Sequence, residues 1–302
     1  MKDLHPLAGI YAAAVTPLQE DGSLDHEAIP AYLKFLAERG CHGCLLLGTT
    51  GEGPSFNQEE RVAVWETAVR VRKANPEFRL LAATGTPSLS ESVQLSQAAF
   101  ELGMEAVVVL PPFYFRNAGE EGLFDWFAQV LEASVPEGKF LLGYHIPQVS
   151  GVGLSFELLE RLQAAFPQRF AGLKDSSGDL EHAKGLVELL PGKAVLVGND
   201  RLLGPGLSAG ASGAITALAN LRSPLLREIW EAHLVGESTE TLQEALSRSR
   251  TALDQNPSAQ AFLKALLHEL HGFPRWALRP PLRGFEQSQV EKAKADYEAS
   301  RA

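Results

Sequence analysis

The sequence predicts an α/β protein, a (β/α)8 TIM barrel followed by a C-terminal helical extension. Between residues 9 and 216, short apolar runs with strand character alternate with longer stretches of helical periodicity, and there are eight such runs. Continuously apolar strands separated by helices form parallel sheets that are covered on both faces. Eight strand–helix units in this length fit a closed barrel better than an open, doubly wound sheet.

Each predicted strand is a short apolar run, such as GIYAAAV at the first position and AVLVG at the seventh. Turn-forming residues or helical segments bound every run, which is the pattern of buried strands. The eight predicted strands are residues 9–15, 43–48, 79–84, 105–110, 139–144, 171–174, 194–198 and 212–216.

The segments between the strands carry apolar residues at helical spacing. Clear examples are 57–74 and 92–103, the second of which ends at Gly103, a residue type that commonly follows a helix. After residue 221 the strand pattern stops. Four helical segments follow, at 223–236, 238–255, 258–272 and 288–300.

The chain therefore divides into a predicted barrel over residues 1–221 and a predicted helical extension over residues 222–302. No linker rich in Pro, Gly or Ser separates the two parts, so we expect the extension to pack on the barrel. Its expected role is to support the barrel wall or to form an oligomer contact.

Composition and charge exclude several classes of protein. Of the 302 residues, 45% are hydrophobic and 21% are charged, as in ordinary globular proteins, and the net charge of −10 disfavours binding to nucleic acid. Apolar stretches such as EAVVVLPPFYF are shorter than the roughly 20 residues of a membrane span. The N-terminal segment MKDLHPLAGIY has no apolar signal core, which predicts a cytoplasmic protein without a membrane partner.

Two short motifs resemble metal sites but lack the required partners. Cys41 and Cys44 form a C-x-x-C, yet no second such pair or paired His follows at zinc-ligand spacing. The pair also lies between a helix and a strand, not at a helix start, so we interpret both cysteines as part-buried packing residues. The histidines of HELH at 268–271 are three apart, whereas the zinc protease motif places them four apart. We expect no metal.

Polar residues follow the predicted strands, at the end where barrel enzymes bind their substrates. After the second strand comes GTTGEG, in which Thr49 and Thr50 lie between Gly48 and Gly51. Flexible backbone N–H groups and two hydroxyls at one point can bind a small carboxylate.

Lys174 ends the sixth predicted strand, in the sequence FAGLKDSS. Burial at the barrel mouth would lower the pKa of its amine and so favour the neutral, nucleophilic form, which can form a Schiff base with a ketone. Tyr144 ends the preceding strand, where its phenol could transfer protons. The alternative is a structural ion pair of Lys174 with Asp175 or Asp179, and position alone does not decide between the two.

Three motifs together resemble the lysine-dependent class I aldolases of the dihydrodipicolinate synthase and N-acetylneuraminate lyase superfamily. They are GTTGE at 48–52, YHIPQVSG at 144–151 and GLKDSSGD at 172–179, in the family's order and spacing, and GASGAITALAN at 210–220 and LRPPL at 278–282 are also similar. The resemblance extends over essentially the whole chain.

The resemblance implies a role for several residues. Lys174 would be the Schiff-base lysine and Tyr144 the proton-transfer residue, while Thr49 and Thr50 would bind the carboxylate of a 2-oxo acid. It also implies a homotetramer and no metal or organic cofactor. Residues on adjoining strand ends are weaker candidates for contacts to distal hydroxyls of the substrate; these are Ser176, Ser177, Asp200 and Thr216.

Departures from the family pattern bear on the substrate. Family members that make dihydrodipicolinate carry an arginine in the tyrosine motif, where this chain has Val149, and an aliphatic side chain cannot replace a guanidinium. Those members also use a second tyrosine, from the neighbouring subunit, which aligns here with either Tyr114 or Phe115. The dihydrodipicolinate synthase reaction is therefore disfavoured.

Two further positions differ. Sialic acid lyases have an Asp-Glu pair after the seventh strand, and this chain has Asp200 followed by Arg201. Arg201 would either bind an anionic distal group or lie on the surface, and we favour the second interpretation. His145 stands where asparagine is commoner, and we favour a bond to a backbone carbonyl over a substrate contact.

The sequence thus predicts reversible aldol cleavage of a 2-oxo-3-deoxy acid to pyruvate (or glyoxylate) and an aldehyde. The expected substrates resemble 2-keto-3-deoxygluconate or 4-hydroxy-2-oxoglutarate. Two alternatives stay open: a dehydratase or dihydrodipicolinate-synthase-type enzyme that uses the same lysine, and a non-catalytic protein that binds 2-oxo acids.

Overall fold

Eight parallel strands form a closed barrel in chain order, so the predicted fold class is confirmed. The structure, a computed structural model, describes residues 4–256 and 258–301. The strands are β1 Gly9–Ala13, β2 Gly43–Leu46, β3 Arg79–Ala83, β4 Ala106–Val109, β5 Phe140–His145, β6 Phe170–Asp175, β7 Ala194–Val197 and β8 Gly213–Thr216.

Helices follow each strand and surround the barrel, and a short helix, α5, precedes the main helix after β5. The barrel helices are α1 Ala28–Glu38, α2 Gln58–Ala68, α3 Leu89–Glu101, α4 Glu120–Ser134, α5 Pro147–Ser150, α6 Phe156–Ala165, α7 Leu180–Leu189, α8 Leu203–Ser208 and α9 Ala219–Leu234. Three more complete the chain: α10 Glu240–Asp254, α11 Ala259–His271 and α12 Gln287–Ala299.

The predicted border at 221/222 lies inside α9, close to a bend in that helix. Arg222 has non-helical backbone angles (φ −114°, ψ 20°), and Pro224 follows two residues later. Proline has no N–H to bond the carbonyl four residues earlier and its ring crowds that carbonyl, which accounts for a bend at this point. Since α9 follows β8 and packs on β1, its first residues complete the barrel wall. Among the described residues, no helix combines the length and the apolar character that crossing a bilayer would take.

The apolar core has two layers, because successive side chains of a strand point to opposite faces of the sheet. Inside the barrel a smaller cluster includes Tyr11, Leu45 and Leu142, together with Tyr144. A larger cluster packs between the strands and the helices and includes Leu141, Leu173 and Ala214. A strand residue's position in this alternation therefore decides whether it can reach the barrel mouth.

A β-bulge in β6 changes that alternation just before Lys174. Leu141 of β5 pairs with Phe170, but the next residue, Leu142, pairs with Gly172, so Ala171 is the extra residue. Gly172 has a φ of 116°, and a Cβ there would lie 2.2 Å from the Ala194 carbonyl oxygen, so only glycine fits. After the bulge, Lys174 pairs with Tyr144 and both side chains point into the barrel.

Candidate active site

The loop after β2, residues 48–53, is tightly folded against the strand that precedes it. A Cβ on Gly53 would lie 1.9 Å from the carbonyl oxygen of Leu47. Leu47 and Glu52, which border the loop's central residues, both have left-handed backbone conformations (φ 56° and 59°). Such conformations cost a non-glycine residue roughly 1–3 kcal/mol each and are common at functional sites. The sequence GTTGEG thus forms a constrained loop at the barrel mouth.

Lys174, Tyr144 and Thr49 are joined by hydrogen bonds at the carboxyl ends of their strands. The Lys174 Nζ donates to the Tyr144 hydroxyl at 3.1 Å, and that hydroxyl lies 3.2 Å from the Thr49 Oγ1. The Lys174 and Tyr144 residues are 4% and 2% exposed, so both are almost completely removed from bulk water. The amine also lies 4.2 Å from the centroid of the tyrosine ring.

The surroundings of Tyr144 lower the pKa of its phenol. Burial alone would raise that pKa, but the positive charge of Lys174 opposes it, together with hydrogen bonds from Thr49, Lys174 and Ser176. Because the opposing effects are larger, the pKa lies below its usual value of 10. The phenol is therefore a better acceptor of a substrate proton, through its phenolate form, than a tyrosine in water at the same pH.

Neither predicted ion-pair partner of Lys174 binds it. The carboxylate of Asp175 accepts hydrogen bonds from the backbone N–H and the hydroxyl of Ser177, on the opposite face of β6. The carboxylate of Asp179 caps the first turn of α7, where it accepts the N–H of Glu181. Lys174 therefore forms neither of the two ion pairs considered from the sequence, and its side-chain hydrogen bond is to Tyr144.

The other predicted site residues divide into two groups. Thr50 is buried within the 48–53 loop, and Ser176 follows directly on β6. Asp200 and Thr216 lie elsewhere. Asp200 binds Arg250 of α10 at 3.2 Å. Thr216 is two residues after Ala214 in β8, and because Ala214 faces the helices, the Thr216 side chain does so too. The Thr216 hydroxyl lies beside the Asp200 carboxylate, whose pKa it helps to lower. The structure therefore does not bring these two residues to the Lys174 amine.

The environment of Asp200 is that of a buried structural carboxylate. Burial raises its pKa, and the attraction of Arg250 offsets this only in part. Its neighbour Arg201 also binds α10, with a guanidinium 2.6 Å from the Asp254 carboxylate and 3.0 Å from the Thr251 hydroxyl. Both residues therefore connect the β7 loop to the C-terminal helices, which favours a surface position for Arg201 over a bond to an anionic distal group of the substrate.

Three exposed side chains occupy the positions at which this chain departs from the family pattern. Val149 on α5 is 60% exposed, while Tyr114 and Phe115 are 77% and 61% exposed. The two aromatic rings pack edge to face with centroids 5.5 Å apart. The guanidinium of Arg116 lies near the tyrosine motif: its Nε is 2.9 Å from the position that a Cβ would take on Gly151.

His145 belongs to a cluster on the outer face of the barrel, behind the Lys174–Tyr144 pair. Its Nδ1 accepts the backbone N–H of Leu154 at 3.0 Å, so the expected bond to a carbonyl is wrong. Its ring stacks on that of His182, with centroids 4.6 Å apart, and the His182 Nδ1 lies 3.2 Å from the Asp175 carboxylate. The outward direction also excludes a substrate contact for His145 in this arrangement.

The same cluster offers the donor types of a transition-metal site. Ligand atoms of His145, Asp175 and His182 all lie within 4.8 Å of one another. The hydrogen bonds from Leu154 and Ser177 already use the His145 Nδ1 and both oxygens of Asp175. The rings are nearly parallel, at 27°, whereas a shared metal must lie in the plane of each imidazole. We therefore interpret the cluster as a hydrogen-bonded one.

Both cysteines are free and buried, as packing residues would be. Burial raises the pKa of Cys41 to about 12 and that of Cys44 well above its usual value. Thiols of this kind are poor nucleophiles.

A cavity of about 300 Å³ opens beside Tyr144 and the 48–53 loop. It is lined by Gly48, Thr49 and Tyr144 on one side and by residues of the β3 and β4 loops on the other. This is the size expected for a small-molecule site.

Two contacts to the 48–53 loop were not anticipated from the sequence. Gln260 and Lys264 of α11 bind Thr49 and Glu52. Their spacing of four residues places them on one face of the helix, which was the available signal. Nothing in the sequence showed which part of the barrel that face would contact.

A closed (β/α)8 barrel that buries a lysine amine against a tyrosine hydroxyl at this end of its strands belongs among the lyases of the class I aldolase type. The chain is a member of the dihydrodipicolinate synthetase family, whose model matches residues 6–300. The predictions of an enzyme and of this superfamily are thereby confirmed.

The curated relatives include both lyases and synthases. A DapA-like lyase of Chloroflexus aurantiacus, described as uncharacterized, is 39% identical over 96% of each chain. A 4-hydroxy-tetrahydrodipicolinate synthase of Halalkalibacterium halodurans is 30% identical, over 90% of this chain and 91% of the relative.

Solved structures agree over the whole fold. Dihydrodipicolinate synthase of Agrobacterium tumefaciens is 30% identical, with a TM-score of 0.86 over 97% of this chain and 99% of that one. The enzyme of Acinetobacter baumannii, solved in complex with pyruvate, is 27% identical, with a TM-score of 0.87 over the same shares.

Proposed function

We propose that this protein cleaves a 2-oxo-3-deoxy acid by a reversible aldol reaction, through a Schiff base on Lys174, to give pyruvate and an aldehyde, which is glyoxylate when the substrate is 4-hydroxy-2-oxoglutarate. The observation that carries the proposal is the 3.1 Å contact between a buried lysine amine and a buried phenol. An amine removed from water and placed beside a proton donor and acceptor is suited to carbonyl condensation.

The reaction begins with binding of the substrate's C1 carboxylate by Thr49 and Thr50. Lys174 gives a proton to the Tyr144 oxygen, 3.1 Å away, and the freed amine attacks C2. Tyr144 then supplies and removes the protons needed to form the carbinolamine and to expel water. The product is a protonated Schiff base, whose positive nitrogen can accept an electron pair.

Cleavage follows from that electron sink. The Tyr144 phenolate accepts the C4 hydroxyl proton, the C3–C4 bond breaks to release the aldehyde, and its electron pair moves through C2 to the nitrogen as an enamine. Protonation at C3 and addition of water at C2 release the 2-oxo acid and restore the amine. The lowered pKa of Tyr144 supports its role as the base.

Covalent trapping tests the nucleophile directly. Incubation with pyruvate and borohydride should add the mass of a reduced pyruvate adduct to the protein, because reduction makes the Schiff base stable. Lys174→Ala should abolish the adduct, whereas Lys184→Ala, which removes an exposed lysine of α7, should retain it. Labelling that persists in Lys174→Ala would show that another residue is the nucleophile.

A second candidate function is a dehydratase or a dihydrodipicolinate-synthase-type reaction on the same lysine. The relative named as a synthase favours it, while the aliphatic, exposed Val149 in the tyrosine motif disfavours the synthase. A turnover panel with coupled pyruvate detection separates the three. An aldolase releases pyruvate, a dehydratase gives a product that keeps every carbon, and a synthase consumes pyruvate.

The panel should include 4-hydroxy-2-oxoglutarate and sugar acids with their phosphorylated forms. We expect aldol substrates of the 2-keto-3-deoxygluconate or 4-hydroxy-2-oxoglutarate kind to release pyruvate, with glyoxylate as the aldehyde product of 4-hydroxy-2-oxoglutarate. Pocket selectivity of this kind depends on contacts worth about 1–3 kcal/mol each. We also propose a homotetrameric assembly, on the basis of the family resemblance and the exposed aromatic pair at 114–115.

A further inference from the structure

We propose that α11 of the C-terminal extension positions the carboxylate-binding loop of the active site, through Gln260 and Lys264. The proposal rests on the proposed function insofar as it assigns 2-oxo acid binding to the 48–53 loop. It gives the extension a role in substrate affinity, beyond the supporting role that the sequence suggested.

The first contact fixes a peptide plane. The Gln260 side-chain NH2 donates to the backbone carbonyl of Thr49 at 2.9 Å. In a planar trans peptide the C=O and the following N–H point in opposite directions. Holding the Thr49 carbonyl toward α11 therefore directs the Thr50 N–H away from α11 and fixes the orientation of a donor available to a carboxylate.

The second contact holds the end of the loop. The Lys264 Nζ lies 2.6 Å from one oxygen of the Glu52 carboxylate, and both side chains are almost fully buried. The other oxygen accepts the backbone N–H of Arg279 at 3.0 Å, and Lys264 also donates to the Ala277 carbonyl at 2.6 Å. Every group in this cluster is thus paired, as a buried charge requires.

The two contacts are made to residues at or next to the strained backbone of the loop. Glu52 has a left-handed backbone conformation, and its own N–H donates to the Thr49 carbonyl at 3.2 Å, so Thr49 and Glu52 move together. Strained conformations persist only when surrounding groups over-determine them. Because Gln260 and Lys264 lie one helical turn apart, a single rigid element supports both.

The arrangement predicts a specific kinetic effect. Loss of the α11 contacts should weaken capture of the 2-oxo acid, while the chemistry at Lys174 continues once the acid is bound. In trapping experiments with pyruvate and borohydride, this appears as a higher half-saturating pyruvate concentration with a nearly unchanged rate at saturation. If α11 only stabilised the fold, its loss would lower the amount of folded protein and would leave the half-saturating pyruvate concentration of the folded fraction unchanged.

The variants are Gln260→Ala and the double variant Glu52→Gln/Lys264→Met. The double variant removes both charges, because Lys264→Met alone would leave Glu52 buried and unpaired and could prevent folding. The control is Glu269→Gln, which removes an ion pair between α11 and Lys294 of α12 and touches no loop residue. We expect half-saturation to rise about tenfold in the double variant and about threefold in Gln260→Ala, with the control within about twofold.

Two results would overturn the proposal: unchanged half-saturation in folded Gln260→Ala and double-variant proteins, or an equal increase in Glu269→Gln. Hydrogen–deuterium exchange of peptides covering 47–56 gives a readout that needs no substrate. The amides of this segment should exchange faster in both loop variants than in the control. If the unaltered protein forms no pyruvate adduct, the proposed function fails, while the exchange rates still support or refute the positioning by α11.

Discussion

The Lys174 amine and the Tyr144 hydroxyl can exchange a proton directly, because 3.1 Å separates them and both lie out of bulk water. The Thr49 hydroxyl lies 3.2 Å from the same phenol oxygen and can pass a proton onward to a bound substrate. Electrostatic effects are larger here than at the surface, because little water screens the charges. This accounts for the lowered pKa of Tyr144 despite its burial.

Replacing Tyr144 by Phe tests the proton-transfer role at the residue scale. The substitution keeps the ring and its packing but removes the hydroxyl, so we expect the turnover number for aldol cleavage to fall about 10²- to 10⁴-fold. The pyruvate adduct on Lys174 should still form, only more slowly, because the nucleophile is intact. A turnover number within about threefold of the unaltered enzyme would contradict the role.

Single residues were predictable from the sequence where motif and strand position agreed. Lys174 and Tyr144 end adjacent predicted strands, and parallel strands place such residues side by side. Asp200 and Thr216 are also at strand ends, yet their side chains are directed elsewhere. Direction depends on the alternation within each strand and on the ion pairs of α10, which sequence spacing does not reveal.

At the scale of elements, the bulge in β6 determines what the sixth strand contributes to the site. Phe170 belongs to the outer cluster, so in a strand without the bulge Lys174, four residues later, would also face the helices. The run AGLK predicts a strand but does not predict the bulge within it. Its signal is Gly172, whose role depends on the nearby Ala194 carbonyl of another strand.

The His182–Asp175 pair joins α7 to the end of β6 and predicts a pH-dependent stability. The hydrogen bond to Asp175 raises the His182 pKa. The stabilisation of the fold by protonated His182 is therefore complete below about pH 6.5 and is lost as pH rises through the raised pKa. Burial would raise the pKa of Asp175, but bonds from His182 and Ser177 lower it. The stabilisation of the fold by ionised Asp175 is complete above the usual carboxyl pKa and is lost as pH falls through the lowered pKa. The pair therefore stabilises the fold most between about pH 4 and 6.5.

We therefore expect His182→Gln to lower the free energy of unfolding by about 1 kcal/mol near pH 5.5, and by less near pH 8.5. The partial exposure of the His182 side chain (21%) and the neighbouring His145 ring limit the size of the effect. Urea unfolding across this pH range measures it. His26→Gln is the control, since His26 binds the neutral hydroxyl of Thr67. If the loss of unfolding free energy in His182→Gln were larger at high pH than at low pH, the stabilising role of the His182–Asp175 pair would be contradicted.

At the scale of the whole molecule, the repeat of strands and helices was the most predictable feature. All eight strands were located from their apolar runs, since a sheet covered on both faces needs continuous hydrophobicity. The division at 221/222 and the cytoplasmic location stay predictions. What the sequence could not supply is the contact between distant parts of the chain, such as α11 against the 48–53 loop.

The exposed aromatic pair Tyr114–Phe115 predicts how copies of the chain associate. The two rings are 77% and 61% exposed beside each other, and covering them in an interface would remove a large apolar area from water. We expect the unaltered chain to be a homotetramer and the variant Tyr114→Ser/Phe115→Ser to dissociate to smaller species, as measured by light scattering after size exclusion. Leu234→Ser, at another exposed apolar position, is the control and should leave the mass unchanged. A monomeric unaltered chain, or a double variant that stays tetrameric, would contradict an interface at this loop.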